Sequence, residues 1–144
     1  MELLEVWKAN RKGISYHEDG SGIVLRGAVD EILEKNGKLI VLDFKTRGFP
    51  LKEDTAHHYQ DQINMYNFLL RKNGYKTENY SYLLFFHPIG IDRKGNFVFQ
   101  TDLVKMKISI KHAEALLKKA VKVLNSSMPE PAEGCAFCGW KRKA

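Results

Sequence analysis

The sequence predicts an α/β (α+β) fold in which a central mixed β-sheet is flanked by helices. Amphipathic patterns at helical spacing over 54–72 and 109–125 alternate with short segments rich in β-branched and aromatic residues. An Asn36-Gly37 dipeptide between two such segments is a strong signal for a tight hairpin, because both residues tolerate positive φ. The resulting order of helices and strands suits a mixed sheet with helical layers.

The individual elements follow from periodicity and from turn-forming residues. Asp19-Gly20-Ser21-Gly22 separates the first two strands, and a turn around 88–95 separates the last two. Asp54 is expected to cap the central helix, and Asn73-Gly74 is expected to end it. In chain order we expect a helix, three strands, a helix, two strands and a helix, covering 1–10, 14–18, 23–34, 39–45, 54–72, 79–87, 96–107 and 109–125.

Composition predicts a soluble globular protein. The chain has 144 residues, enough for one domain over 1–144, with 126–144 as a short cysteine-containing tail. It contains no apolar segment long enough to cross a membrane and no secretory pattern, so a cytoplasmic location is expected by default. The net charge of +6 favours a polyanionic partner such as DNA, although excess lysine also serves solubility.

The Asn36-Gly37 turn has a consequence for charge. If these two residues form the loop, Lys35 pairs with Lys38, and counting outward pairs Asp30 with Asp43. Opposed residues on paired strands have Cβ atoms about 5 Å apart, where like charges repel each other. Something positive is therefore expected between the two carboxylates.

Two converging carboxylates are best explained as a site for a hard divalent cation, Mg²⁺ or Mn²⁺. Lys45 would lie opposite Ala28 on the same face as both acids, because strand side chains alternate with a period of two. The alternative is a surface hairpin with scattered charges. Against that alternative, both faces of the hairpin look covered by apolar residues, which are Ile32, Leu39 and Val41 on the acid face and Val29, Leu33, Ile40, Leu42 and Phe44 on the other.

The helix that follows carries two polar side chains one turn apart, Gln62 and Tyr66, which can reach the same point. Taken alone, this pair is more simply explained by a core tyrosine and a solvated glutamine. Arg47 and Lys52, in the loop between Lys45 and this helix, are candidates for contact with phosphate. On the last helix, the positions expected to face the core are Ile110, Ala113, Leu117, Ala120 and Leu124.

Three short blocks occur in order along the chain: Gly27-Ala28-Val29-Asp30, Asp43-Phe44-Lys45 and Gln62-Ile63-Asn64-Met65-Tyr66. They resemble the GxxD, (D/E)xK and QxxxY blocks of the PD-(D/E)XK phosphodiesterase superfamily in its RecB-like exonuclease branch. That branch includes nuclease domains of recombinational repair helicases and the RecB-like exonucleases associated with CRISPR systems. The resemblance extends roughly from Tyr16 to Cys138.

The resemblance implies a restriction-endonuclease-like core and a set of roles. Asp30 and Asp43 would bind the metal, the Phe44 backbone carbonyl would also contact it, and Lys45 would be catalytic. Gln62 and Tyr66 would sit beside the metal centre and hold the substrate or the attacking water. DNA would be the substrate, and the chain could act alone, as a homo-oligomer or within a larger recombination or repair complex.

The chain departs from the family pattern upstream of the hairpin. Relatives commonly carry an additional acid or histidine on an upstream helix that completes the metal shell. The available substitutes here are Glu2, Glu5, His17 and Glu18. Glu5 lies on the expected first helix and His17 on the first strand, so His17 or Glu5 is the candidate, while an ordinary strand role for His17 is equally open.

The second departure concerns Cys135 and Cys138, the only cysteines of the chain. They resemble the cysteine-rich C-terminus of the iron–sulfur members of this branch, which use four cysteines. Two thiolates cannot by themselves hold a tetrahedral zinc ion or an iron–sulfur cluster. An iron–sulfur or zinc site is therefore expected only if another chain completes it. A remnant motif is favoured, and a reversible disulfide is the third possibility.

The function expected from the sequence is a divalent-metal-dependent DNA nuclease that hydrolyses phosphodiester bonds, exonucleolytic by resemblance. A competing hypothesis is a catalytically inactive or accessory module of the same fold that touches DNA without cutting it.

Overall fold

A computed structural model describes residues 2–141 of the chain. Its elements run from a short N-terminal helix through six strands and three further helices, with one 3-10 helix between β4 and α2. In chain order they are α1 Glu2–Lys8, β1 Ile14–His17, β2 Val24–Gly27, β3 Glu31–Lys35, β4 Lys38–Thr46, the 3-10 helix Thr55–Tyr59, α2 Gln60–Lys72, β5 Tyr80–Ile91, β6 Phe97–Lys107, α3 Ile110–Leu124 and α4 Ala136–Lys141.

The strands form two sheets. β1 and β2 make a small antiparallel pair, and the other four strands form a sheet in the order β3-β4-β5-β6. β4 and β5 run parallel, whereas β3 and β6 pair antiparallel with their neighbours. This arrangement of a mixed sheet with helices around it confirms the predicted fold class.

The hairpin predicted from the Asn36-Gly37 turn is present with the predicted register. Asn36 has a φ of 51° and Gly37 a φ of 70°, as a two-residue hairpin turn requires. Lys35 pairs with Lys38, and the ladder continues outward as far as the pair Glu31 with Leu42. Asp30 is the next residue, so the register carries it to the level of Asp43.

The single long strand predicted over 23–34 was wrong. The chain leaves β2 after Gly27 and enters β3 at Glu31, passing from the small sheet to the large one. The connecting residue Val29 is buried, and its N–H donates to the carbonyl of Trp7 in α1 at 3.1 Å. Because the ladder ends at Glu31, the predicted pairing of Ala28 with Lys45 does not form.

The central helix begins differently from the prediction and ends as predicted. A 3-10 turn precedes α2, and the Asp54 side chain accepts no capping hydrogen bond. Instead, Thr55 Oγ1 accepts from the N–H of Lys52 at 2.9 Å and fastens the loop before the helix. At the other end, Asn73 is the C-cap of α2 and Gly74 follows with a φ of 86°.

β5 extends further than predicted. It runs through Pro88 to Ile91, with a register shift between Pro88 and Gly90. A bulge of this kind accommodates proline inside a strand, since proline cannot donate to the ladder. The turn is consequently shorter than the expected 88–95 and is organised by Asp92, whose Oδ1 accepts from the N–H groups of Lys94 and Asn96.

The core lies between α2 and one face of the large sheet, where Val41, Leu83 and Phe85 pack in one cluster with Ile63 and Leu70. The opposite face was expected to be covered. In this chain Leu33, Phe44 and Leu103 on that face are 40%, 43% and 60% exposed. The expectation was therefore wrong for Leu33 and Phe44, whereas Ile40 on the same face is buried, with 4% of its surface exposed.

In α3, the buried face includes fewer of the predicted residues than expected. Ser109 caps α3 by accepting from the N–H of His112 at 3.2 Å, and Ala113 and Leu117 are buried. Ala120 and Leu124, which were expected to face inward, are exposed, because the face that packs against Phe68 of α2 continues from Leu117 to Val121 instead. Within residues 2–141, no helix has the length and apolar character needed to span a membrane.

Candidate active site

The two aspartates predicted to converge are brought together at the open end of the hairpin. Asp43 lies in β4 with 1% of its surface exposed. Asp30 directly precedes β3, and its Oδ2 accepts a hydrogen bond from the N–H of Phe44 at 2.8 Å. The β4 backbone thus fixes the Asp30 carboxylate beside that of Asp43, as the hairpin register predicted.

Lys45 completes the group. Its Nζ contacts Asp43 Oδ2, and it also lies 4.8 Å from the ring centroid of Tyr59 in the 3-10 helix. An ammonium over an aromatic face is attracted to the ring, so Tyr59 helps to hold Lys45 in place. Tyr59 was not among the predicted site residues, and its only signal in the sequence is its position one helical turn before Gln62.

The Asp43 carboxylate is incompletely compensated. Burial raises its pKa above 3.8, the contact with Lys45 lowers it, and the charge of Asp30 raises it again. Asp43 Oδ2 touches Lys45 Nζ, yet it has no well-directed hydrogen bond. The contact is an ion pair, because the Lys45 nitrogen and the Asp43 oxygen are close enough for charge attraction but not aligned for a hydrogen bond. A buried carboxylate oxygen in this condition suits a bound cation.

The residues present fit a small divalent cation. Mg²⁺ is commonly bound through one or two carboxylates and retains several water molecules, so Asp30 and Asp43 are a sufficient protein contribution. In the part of the chain that the structure describes, no cluster of three or more His, Cys, Asp or Glu residues forms. Neither Glu5 nor His17 therefore adds a third such ligand here, and the roles of these two and of the Phe44 carbonyl stay predictions. The side chain of Glu2 lies outside the described residues.

The third motif block reaches the same place. Gln62 Nε2 donates to the Tyr66 hydroxyl oxygen at 2.7 Å. Burial raises the pKa of Tyr66 above 10.0, and the negative charges of Asp43 and Asp30 raise it further. Tyr66 therefore keeps its proton, and because Gln62 occupies the hydroxyl oxygen as a donor, that proton is available to a phosphate oxygen or a water molecule.

Gly27 explains why the first block begins with glycine. A Cβ built on Gly27 would lie 3.0 Å from Tyr66 Cε1 and 3.0 Å from Leu69 Cδ1. Glycine therefore lets the end of β2 approach α2 closely, whereas a side chain here would require Tyr66 and Leu69 to shift. This contact joins the first and third blocks physically, which sequence spacing alone could not show.

The two basic residues of the following loop occupy different environments. Arg47 continues the line of β4, with its N–H donating to the carbonyl of Phe86 at 2.8 Å and its guanidinium 4.8 Å from the ring centroid of Phe49. Lys52 is exposed at the turn before the 3-10 helix. Both are consistent with phosphate contact, and their roles stay predictions.

The two cysteines form a neighbouring pair at the start of α4. Both are free thiols. Interaction with the backbone N–H and the thiol of Cys138 lowers the pKa of the Cys135 thiol, and the interaction with Cys135 raises the pKa of Cys138. The structure thus shows a proximal dithiol, and whether it is a remnant motif or half of a shared site stays a prediction.

The arrangement defines a class of protein, one whose mixed sheet presents two carboxylates and an ammonium at a strand end, as phosphodiester-cleaving enzymes do. Comparison with known sequences agrees, since the sequence model of the PD-(D/E)XK nuclease superfamily matches residues 2–142. The chain belongs to the PD-(D/E)XK nuclease superfamily.

Other comparisons are less specific. The solved structure titled "Crystal structure of SSO0001" is similar in fold, with a TM-score of 0.53 and 18% sequence identity over 99% of this chain. The match covers 65% of that protein, so the present chain spans about two thirds of its length. No curated protein matches the sequence significantly.

Gly27→Ala is expected to displace Tyr66, because the added methyl group would sit closer to its ring than carbon atoms normally pack. Overpacking of this kind costs about 1–3 kcal/mol of stability, which urea unfolding measures. Gly48→Ala is the matched control, since a Cβ there meets no atom within 4 Å. Equal stability of the two variants would show that the close approach does not constrain the fold.

Asp43→Asn is expected to raise the free energy of unfolding of the metal-free protein at neutral pH. Burial raises the folded-state pKa of Asp43, so the folded state binds a proton that the unfolded state has released. Stability is therefore expected to fall as pH rises from about 3.9, the ordinary value for aspartate, through the raised pKa, and the variant should lack this component.

Added Mn²⁺ is expected to reverse the order of stability by stabilising only the unmutated protein. Urea unfolding across pH 4–8, with and without the metal, measures both effects. A variant that is less stable than the parent in chelator would contradict the assignment of Asp43 as a poorly compensated charge.

Proposed function

We propose that this protein is a divalent-metal-dependent deoxyribonuclease that hydrolyses phosphodiester bonds at the Asp30–Asp43 site. The single observation that supports this most strongly is the Asp43 carboxylate, buried yet incompletely compensated, with a second carboxylate and an ammonium beside it. Membership of a nuclease superfamily supplies the class of reaction.

Asp30 and Asp43 would hold Mg²⁺ or Mn²⁺. When bound, the cation supplies positive charge and Lewis-acid polarisation for the phosphoryl group. The protein's contribution is to fix both carboxylates before the metal arrives, Asp43 through β4 and Asp30 through its hydrogen bond to the Phe44 N–H. Such preorganisation avoids reorganisation during the reaction.

Lys45 would position the attacking water and offset negative charge developing on the phosphate. Its Nζ is held on two sides, by Asp43 and by the Tyr59 ring, and the lysine side chain is only 16% exposed. In a site with little access to water, an ammonium acts more strongly on a nearby phosphate than it does in bulk solvent.

Gln62 and Tyr66 would orient the substrate. The Tyr66 hydroxyl accepts from Gln62 and can donate its own proton outward, so the pair presents one directed donor next to the carboxylates. The raised pKa of Tyr66 keeps this donor protonated at neutral pH, which is the state that binding a phosphate oxygen requires.

The finer assignment rests on the motif blocks. Their resemblance to RecB-like exonucleases supports cleavage from DNA ends and a place in recombination or repair, including the CRISPR-associated setting of some relatives. The positive net charge is consistent with DNA as the partner. Participation in a homo-oligomer or a larger complex, a cytoplasmic location and an inactive accessory role stay predictions from the sequence.

The purified protein with Mn²⁺ is expected to degrade a labelled DNA strand. Asp43→Ala and Lys45→Ala should each lower the rate about 100-fold or more, the scale seen when one preorganised charge-stabilising group is removed. Tyr66→Phe should lower it about 10-fold through loss of one hydrogen bond to a charged group. Gel assays of single-turnover cleavage measure all three rates.

Lys38→Ala is the matched control for Lys45→Ala, because Lys38 lies on the same strand and its ammonium forms a surface ion pair with Glu78 at 3.6 Å, away from the two aspartates. It should cleave at the parental rate, and circular dichroism should show all variants folded. DNA binding without cleavage under any divalent metal would favour the accessory module instead.

The exonuclease proposal is tested by offering circular DNA, linear DNA and RNA side by side. End-directed cleavage predicts that linear DNA shortens progressively while covalently closed circles of the same sequence survive. Nicking or linearisation of the circles at a comparable rate would show endonuclease activity, and preferential loss of RNA would redirect the substrate assignment.

A further inference from the structure

A second polar group lies beyond Lys45 on the same face of the sheet. Arg47 extends β4 by donating its N–H to the carbonyl of Phe86, which continues the parallel ladder that pairs Lys45 with Phe85. Arg47 therefore neighbours His87, and the period of two places both side chains on the face that carries Asp43 and Lys45. Asp102 lies on the other side of His87, because β6 pairs it with Phe85 on this face.

His87 is buried and only partly satisfied. It is 3% exposed, and its Nδ1 lies 3.3 Å from Asp102 Oδ2. Despite this contact, Nδ1 has no well-directed hydrogen bond. Asp102 is itself held by Gln100, whose Nε2 donates to Asp102 Oδ1 at 3.3 Å. The Asp102 carboxylate thus accepts from Gln100 through Oδ1 and contacts the His87 ring through Oδ2, so it lies against the imidazole on the β6 side.

Arg47 shows the same condition on the other side. Its Nε is buried without a hydrogen-bond partner, while its guanidinium is held over the Phe49 ring. Among the described residues, four buried side-chain nitrogen or oxygen atoms lack a partner, and three of them belong to Asp43, Arg47 and His87. Such atoms are rare in folded proteins, and each calls for an explanation such as a bound ion, ligand or water. His87 Nδ1 faces Asp102 at 3.3 Å, so it is Asp43 Oδ2 and Arg47 Nε that indicate a missing partner on this face.

We propose that Arg47 and His87 form a second phosphate subsite, which binds the phosphodiester next to the one being cleaved. This inference rests on the proposed nuclease function. Two residues along β4 span about 7 Å. A DNA strand whose scissile phosphate lies at Lys45 would therefore bring its neighbouring phosphate to the level of Arg47 and His87. Arg47 contributes charge and Nε–H, and His87 contributes a ring whose other nitrogen faces Asp102.

The placement also explains why these side chains are held so closely. An Arg fixed by an aromatic ring and a His fixed by a carboxylate lose little conformational freedom when the phosphate binds. Lys45 and Arg47 lie two residues apart at the end of β4, and His87 lies beside Arg47 on β5, so the three side chains form a row on one face of the sheet. The subsite would set the path of the strand and so act on substrate binding rather than on the chemical step.

Equilibrium binding in EDTA tests the subsite without any cleavage. A fluorescent oligonucleotide is titrated with protein, and a single uncharged methylphosphonate is moved along its backbone. One position other than the scissile phosphate should weaken binding to the unmutated protein about 10-fold, the effect of losing one charged hydrogen bond. The substitution is in the ligand, so it leaves protein folding untouched.

The variants Arg47→Gln and His87→Asn connect that position to the two residues. Each should bind the unmodified oligonucleotide about 10-fold more weakly and lose no further affinity when the methylphosphonate occupies the sensitive position. Arg47 is partly exposed, so its variant is expected to fold even if His87→Asn does not. The control is His112→Asn, another histidine paired with an aspartate, Asp61 at 2.7 Å, which should keep full sensitivity.

Two results would overturn the proposal. One is a scan with no sensitive phosphate outside the scissile position, or no binding at all. The other is an Arg47→Gln variant whose affinity falls as much as that of the unmutated protein when the methylphosphonate is introduced. That result would mean that the unpartnered nitrogens bind structural water and not a phosphate. Cleavage is scored separately with Mn²⁺, so a protein that shows the coupling but never cuts DNA would refute the nuclease function and leave the subsite standing.

Discussion

The register of the β3–β4 hairpin is the constraint on which the rest of this structure depends. The Asn36-Gly37 turn fixes the pairing, and the pairing decides which face of β4 carries Asp43. A slip of one residue would move Asp43 and Lys45 to the opposite face, away from α2. Because Asp30 is held by the Phe44 N–H, the same register also decides where the second carboxylate points.

Charge burial at this point opposes folding, and the surrounding residues offset it only in part. Lys45 and the Phe44 N–H compensate the two carboxylates, yet burial still dominates the environment of Asp43. Replacing a buried ion pair as a whole, here Asp43 together with Lys45, by well-packed apolar residues is often neutral or stabilising, so a protein without a ligand at this place would not need the pair for stability. The retained charge therefore indicates that stability has been exchanged for binding, as is common at functional sites.

Local rules predicted local features, and tertiary contacts decided the rest. The Asn36-Gly37 turn, the hairpin register and the Asn73-Gly74 helix end depend on neighbours in sequence, and all three are confirmed. The break at 28–30 depends on a hydrogen bond to Trp7 in α1, which is distant in sequence. The missing Asp54 cap depends on the neighbouring Thr55, whose hydroxyl fastens the loop to Lys52 instead, a choice between two adjacent polar side chains that the pattern did not decide. At the site, the convergence of Asp30 and Asp43 was predicted by counting residues outward from the Asn36-Gly37 turn. Tyr59, Gly27 and His87 did not, because their partners are fixed only when β2, β5 and the 3-10 helix come together.

The position of the site within the sheet follows from one strand face changing character along its length. Val41 is fully buried in the core, Asp43 two residues later is equally buried but charged, and Lys45 reaches partial exposure. The first polar group, Asp43, thus lies where apolar packing still excludes water, so electrostatic interactions there are strong. The end of β4 beyond Lys45 remains open to a ligand. The same change comes later on the two neighbouring strands: Leu83 and Val104 are apolar at the level of Asp43, Asp102 lies at the level of Lys45, and His87 lies at the level of Arg47. The polar part of this face therefore runs obliquely across three strands, which suits an extended backbone better than a single small molecule.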